Sequence, residues 1–255
     1  MSGGTDSSAP LRRRQESVLT AAGERFAATA VLPPEHGPGL VLLQEIFGVG
    51  EFLLEKAEAL AREGYVVLCP DLFWRIEPNI VLGHDEEGLA QAFSYAQRFG
   101  ELDPALTAGD LLASLAHLRT LPEVAGPTGV MGYCLGGRLA YEVAVAGDPD
   151  CCVSYYGSGV AGRLGDADRL DCATIFHFGG NDPFIPPSDA EAVVAAFADR
   201  PDVEVHIHEG AGHAFENSFA PAFSDPTAAA RSWPLTLDFL RRWRAGAEAG
   251  RPPAL

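Results

Sequence analysis

The chain reads as an α/β fold, with a mostly parallel central sheet and helices on both faces. Three observations predict this. Apolar runs such as residues 40–44 (LVLLQ) are continuous, as in strands buried on both faces. Such runs alternate with amphipathic stretches of helical length. The size of 255 residues and a hydrophobic content of 47% allow one such domain to bury a sizeable core.

In chain order, residues 16–32 alternate weakly around Gly23 and suggest an antiparallel hairpin. After the strand at 40–44, residues 51–63 form an amphipathic helix with Leu53, Leu54, Ala57, Leu60 and Ala61 on one side, stopped by Gly64. Residues 65–69 are the next strand, ended by Pro70. Residues 73–100 read poorly because Pro78, Gly83 and Gly88 interrupt them, although 87–99 has helical character. Such an excursion suits the lining of a pocket.

Asp103-Pro104 opens a helix to about Leu121. Residues 128–131 are a short strand and 135–146 a helix, with strands at 151–155 and 174–178. Ser188 with Glu191 has the spacing of a capping box for a helix through Phe197. Residues 203–208 form the last strand. Asp225-Pro226 opens a final helix carrying Leu235, Leu237, Phe239 and Leu240. Only the ends resemble tails, so the expected organisation is a tail at 1–14, one domain at 15–246 and a tail at 247–255. The arginines at 12–14 fall in the first tail.

A formal net charge of −17 repels phosphate backbones and argues against nucleic-acid partners. No apolar run is long enough to span a bilayer, and no apolar stretch follows the N-terminal arginines as a signal peptide requires. The five cysteines lack metal or redox spacing, and reduced thiols suit the cytoplasm. The expected partner is a small molecule, with the chain a monomer or small homo-oligomer.

Cys134 stands apart from the other cysteines. Gly132-Tyr133-Cys134-Leu135-Gly136 lies between a strand and a helix, the form of the nucleophile elbow of α/β-hydrolases. A helix start favours an anionic sulfur, and the Leu135 N–H points where an oxyanion would form. The remaining members of such a triad follow in the order acid, histidine. Asp182 follows the strand at 174–178 and His213 follows the strand at 203–208, so both share the elbow's edge of the sheet. Glu45 ends the first parallel strand at that same edge, where a buried carboxylate is costly unless paired or functional. The Ile46 N–H is placed to be a second oxyanion donor. His206 and His208 alternate onto one face near His213, but no acidic or thiol ligand stands at matching spacing, so no metal is expected. His177 reads as a satisfied core residue; His36, His84 and His117 carry no signal.

Together, Gln44-Glu45-Ile46-Phe47-Gly48, Cys69-Pro70-Asp71-Leu72, Gly132-Tyr133-Cys134-Leu135-Gly136-Gly137, Gly179-Gly180-Asn181-Asp182 and Gly212-His213-Ala214-Phe215 resemble the dienelactone hydrolase family. The resemblance runs from about Val18 to Leu240 and implies an α/β-hydrolase fold. It implies hydrolysis of an enol lactone such as carboxymethylenebutenolide in aromatic-compound catabolism, without a cofactor. Cys134 would be the nucleophile, His213 the base and Asp182 its partner. Glu45 would take the thiol proton when substrate binds, and Leu135 and Ile46 would form the oxyanion hole. The family also binds its substrate carboxylate with two arginines, whose positions here are Asn217 and Ala90 or Ala92. Arg75 and Arg98 lie nearby in sequence but do not match. Weak activity on acidic lactones is therefore expected, with Phe47, Trp74, Tyr133, Phe215 and Asn217 lining an apolar pocket. The alternatives are an esterase or thioesterase for neutral substrates, and a non-catalytic binding protein on a hydrolase fold.

Overall fold

A computed structural model describes residues 10–248. Among them, eight strands form one sheet in the order β1-β2-β4-β3-β5-β6-β7-β8. β1 (Arg12–Leu19) and β2 (Arg25–Leu32) make the expected antiparallel hairpin, and β2 joins β4 (Val66–Pro70) antiparallel. From β4 onward, β3 (Gly37–Leu43), β5 (Val124–Tyr133), β6 (Cys151–Tyr155), β7 (Ala173–Gly179) and β8 (Val203–His208) are all parallel. This is the α/β-hydrolase fold, and every residue of β3, β4, β6 and β7 is buried. Continuous apolar sequence follows from that double burial.

The helices are α1 (Glu51–Arg62), α2 (Glu86–Gly100), α3 (Pro104–Thr120), α4 (Leu135–Ala146), α5 (Pro187–Ala196) and α6 (Pro226–Glu248). Phe52, Leu53, Ala57, Leu60 and Ala61 form the buried stripe of α1. Asp103 and Asp225 cap their helices, Asp225 accepting from Thr227 N–H at 2.9 Å and Ala228 N–H at 3.1 Å.

Three local expectations change. The arginines at 12–14 belong to β1 and are not a tail. Arg13 pairs with Glu58 at 2.6 Å, Arg14 with Glu123 at 2.7 Å, and the strand is hydrogen-bonded to β2. Ser188 does not cap α5: Pro186 holds the cap position without a side-chain bond, and Pro187 fixes the first helical φ. On α6, Leu235 is 36% exposed while Trp243 is buried. The helix also contains Pro234 and continues through Glu248, beyond the expected boundary at 247. Residues 1–9 and 249–255 of the proposed tails lie outside the described residues.

Candidate active site

The parallel strands deliver four side chains to one rim. Cys134 directly follows β5 at φ 55° and ψ −114°, a conformation few non-glycine residues adopt. Its neighbours must lack side chains: a Cβ on Gly132 would overlap the Gly136 carbonyl, and one on Gly136 would overlap those of Leu43 and Gln44. The elbow is held by Cys134 N–H donating to the Tyr155 carbonyl and Gly136 N–H to the Gln44 carbonyl, each at 3.0 Å. The second of these ties the start of α4 to the chain leaving β3, so that Glu45 and Cys134 line one cavity.

Asp182 and His213 reach the same point from β7 and β8. Their loops are joined by Asn181 N–H donating to the Ala211 carbonyl at 2.8 Å. His213 Nδ1 lies 2.7 Å from Asp182 Oδ2, and His213 Nε2 lies 3.0 Å from Cys134 Sγ. The other carboxylate oxygen, Asp182 Oδ1, accepts the N–H groups of Phe184 at 2.8 Å and Ile185 at 3.1 Å. The carboxylate is therefore fixed from both sides. Burial acts to lower the His213 imidazole, but the Cys134 sulfur and the Asp182 carboxylate outweigh it and raise it to about 10.

Glu45 is buried at 4% exposure. It accepts from Asn217 Nδ2 at 2.6 Å and from the Tyr156 hydroxyl at 3.2 Å, two neutral donors. Burial raises it to about 7 against these bonds and the His213 charge. Leu135 and Ile46 line the same cavity as Cys134, Glu45 and His213. That cavity, of about 380 Å³, has an apolar wall contributed largely by Phe47, Leu89, Phe93, Phe184 and Phe223.

Of the residues expected on this wall, Phe47 lines the cavity and Trp74, Tyr133, Phe215 and Asn217 do not. Trp74 turns away, stacking on Phe26 at 5.2 Å and donating to Asp110 Oδ2 at 3.0 Å. Tyr133 and Phe215 have no exposed surface and pack beneath the site, with Tyr156 between them at 6.0 and 5.1 Å. Asn217 lies under Glu45 and is likewise buried. Leu89, Phe93 and Ala96 instead supply the α2 side of the wall, and their i, i+4, i+7 spacing was a readable signal. Arg138 also lines the cavity and was missed, although it stands four residues after Cys134 and thus on the same face of α4. Tyr156, at the C-terminal end of β6, was missed as well. His84, which carried no signal, meets Asn217 at 3.2 Å.

The family model for dienelactone hydrolases matches residues 26–243. This chain belongs to the dienelactone hydrolase family. A carboxymethylenebutenolidase from a Pseudomonas species is 39% identical over 89% of this chain and 94% of its own length. The carboxymethylenebutenolidase of Pseudomonas putida is 36% identical over 88% of this chain and 94% of its own length. Among solved structures, a dienelactone hydrolase-like promiscuous phosphotriesterase from metagenomic libraries superposes with a TM-score of 0.78 at 26% identity, covering 91% of this chain and 98% of its own. The dienelactone hydrolase of Anabaena variabilis shares the fold with a TM-score of 0.66 at 18% identity, over 91% of this chain and 97% of its own. The chain is thus a dienelactone hydrolase-like hydrolase. Among the described residues, no helix is long and apolar enough to cross a membrane.

Proposed function

We propose that the chain hydrolyses carboxylic esters and lactones through a thioester on Cys134. The observation that carries this is the continuous Asp182–His213–Cys134 hydrogen-bond line, with spacings of 2.7 and 3.0 Å. The sulfur attacks the carbonyl carbon, and the Leu135 and Ile46 N–H groups receive the oxyanion. The carbon–oxygen bond then breaks, and His213 gives its proton to the departing alkoxide. In a lactone that alkoxide stays attached to the acyl chain. Water attacks the thioester, His213 removes its proton, and the acid leaves with the sulfur restored. Asp182 orients the imidazole throughout and stabilises its charged form. Glu45, in the same cavity as Cys134 and held by neutral donors, takes up the thiol proton as substrate enters.

Cys134→Ala should abolish turnover of a p-nitrophenyl ester. With wild type, intact mass under rapid quench should show one acyl group on Cys134. Undiminished turnover in the alanine variant rejects the reading.

Substrate charge separates two versions of this function. The apolar wall favours neutral esters, whereas Arg138 puts a guanidinium on the same wall. Arg138 is held by Glu142 at 2.8 Å, and Glu142 also accepts from Arg163 at 3.0 Å, so two cations share one carboxylate. We favour a substrate with an apolar body and an acidic group, as the names of the carboxymethylenebutenolidase relatives also suggest. Arg138→Gln should raise KM for an acidic lactone by roughly tenfold and leave a neutral ester unchanged. Equal effects on both would return the neutral-substrate version.

A further inference from the structure

The stretch after β4, which the sequence presents as a poorly patterned excursion suited to lining a pocket, ends against Glu45's partner. Gly48 and Val81 form an isolated antiparallel bridge, and Leu82 N–H donates to the Phe47 carbonyl at 2.9 Å. Gly48 sits at φ 84°, and a Cβ there would overlap the Ile80 carbonyl, so this docking needs glycine. On the other side, Asp85 caps α2 by accepting the Gly88 N–H at 2.8 Å. Between these anchors stands His84, half-buried, its ring centroid 4.3 Å from that of Phe47 and 6.4 Å from that of Phe219.

The Asn217 amide has one orientation that satisfies all its neighbours. Its Oδ1 accepts the Phe219 N–H at 3.0 Å. Its NH2 therefore faces Glu45 Oε2 at 2.6 Å and His84 Nε2 at 3.2 Å. The group has two hydrogens, one for each partner. His84 Nε2 must then offer a lone pair, so the ring is neutral with its proton on Nδ1. Turning the amide over would set its oxygen against the Glu45 carboxylate and its NH2 against the Phe219 N–H.

We infer that His84 is a positioning residue: by accepting the second Asn217 hydrogen it locks the amide that holds Glu45 in the cavity it shares with Cys134. The role rests on the ester-hydrolase reading above for its consequence, though not for its geometry. A proton on His84 would turn Nε2 into a donor facing another donor, and Asn217 would lose its fixed orientation. The groups facing the ring are Phe47 from the loop after β3, Asn217 and Phe219 from the loop after β8, and the Glu51 charge at the start of α1. Burial lowers the imidazole and Glu51 opposes that, with the net shift downward. The ring is then neutral at pH 7 and takes its proton only under acid conditions.

The test uses the full chain, His84→Phe and His84→Gln. In wild type, 15N shifts should show His84 as the Nδ1–H tautomer at pH 7. His84→Phe keeps the ring packing but removes the acceptor. Its kcat should fall about fivefold with KM unchanged, the cost of one orphaned buried donor. The acid limb of Cys134 alkylation by iodoacetamide should lose one titrating group. His84→Gln, whose amide oxygen can accept the same hydrogen, should recover most of kcat. An Nε2–H tautomer, or a folded His84→Phe variant with wild-type kcat and alkylation profile, overturns the proposal. If His84→Phe does not fold, the tautomer and the glutamine variant decide. Failure of the hydrolase reading shows separately, as turnover surviving in Cys134→Ala, because the tautomer measurement involves no turnover.

Discussion

Two buried histidine settings lie near the ends of the last parallel strands, one favouring the charged imidazole and the other the neutral one. His213 sits between a carboxylate and a sulfur and is raised to about 10. One strand away, His177 on β7 contacts His208 Nε2 through Nδ1 and Thr236 Oγ1 through Nε2, each at 3.0 Å. Thr236 in turn meets the Tyr155 hydroxyl at 2.6 Å. Burial and the neighbouring imidazoles push His177 well below its ordinary value, and His208 falls to about 4. All three rings are buried, at 7%, 0% and 6% exposure, so depth alone does not separate them. Burial depresses each one, and only His213 has a carboxylate and a sulfur beside it to reverse the sign. The same edge of the sheet thus carries a histidine poised to hold a proton and a pair poised to refuse one.

The strongest way to break this contrast is Asp182→Asn. The variant keeps the shape of the loop but removes the charge and the correct partner for His213 Nδ1. Turnover should fall by about 10⁴-fold, as when a triad loses its orienting acid. In an NMR titration, His213 should then move down toward the His208 value. A loss of kcat smaller than tenfold would show that the carboxylate neither orients nor charges the imidazole.

The difference between the two settings also marks what could be read from the chain beforehand. The positions of Cys134, Asp182, His213 and Glu45 were legible because each lies within five residues of the C-terminal end of a strand whose apolar run was plain, and parallel strands send those ends to one rim. Partner identity was less legible where it depends on contacts distant in sequence. Trp74 looked like a pocket aromatic, but its direction is set by Phe26 and Asp110. Arg12, Arg13 and Arg14 looked like a solvated tail because Glu58 and Glu123, which pair with them, are far along the chain. His84 lies in a stretch without periodicity, brought to the site by one bridge at Gly48. His206 and His208 alternate onto one face as expected, yet His208 reaches His177 while His206 stacks over it at 5.4 Å and meets Glu204 at 3.2 Å.

Glu45→Gln sharpens the contrast from the carboxylate side. Glu45 is raised from 4.5 to about 7 in the folded chain. Its contribution to stability is full below pH 4.5 and is lost as the pH rises through about 7, where ionising the buried group opposes folding. At 1.36 kcal/mol per pKa unit the difference between pH 4.5 and pH 8 is at most about 3 kcal/mol. Urea denaturation at both pH values should show the glutamine variant losing less stability over this range than wild type, whatever fixed cost the substitution adds. An unchanged slope would place Glu45 in a wetter setting than its two neutral donors describe.

The smallest effect comes from the histidine pair and runs the other way. His208 is lowered from 6.5 to about 4, so its contribution is present above pH 6.5 and is lost as the pH falls through about 4. Between pH 6.5 and pH 4.5 the loss is about 2 kcal/mol. Over pH 4.5 to 6.5 this slope opposes that of Glu45, and the two partly cancel in the wild-type chain. His208→Gln can still bond to His177 but cannot take a proton. It should therefore expose the Glu45 slope, with stability falling more steeply as pH rises from 4.5 to 7 than in wild type. Glu45→Gln should expose the histidine slope, with stability falling as pH drops from 6.5 to 4.5. If both single variants follow the wild-type profile, the opposed charge preferences of the two settings are not what shapes it.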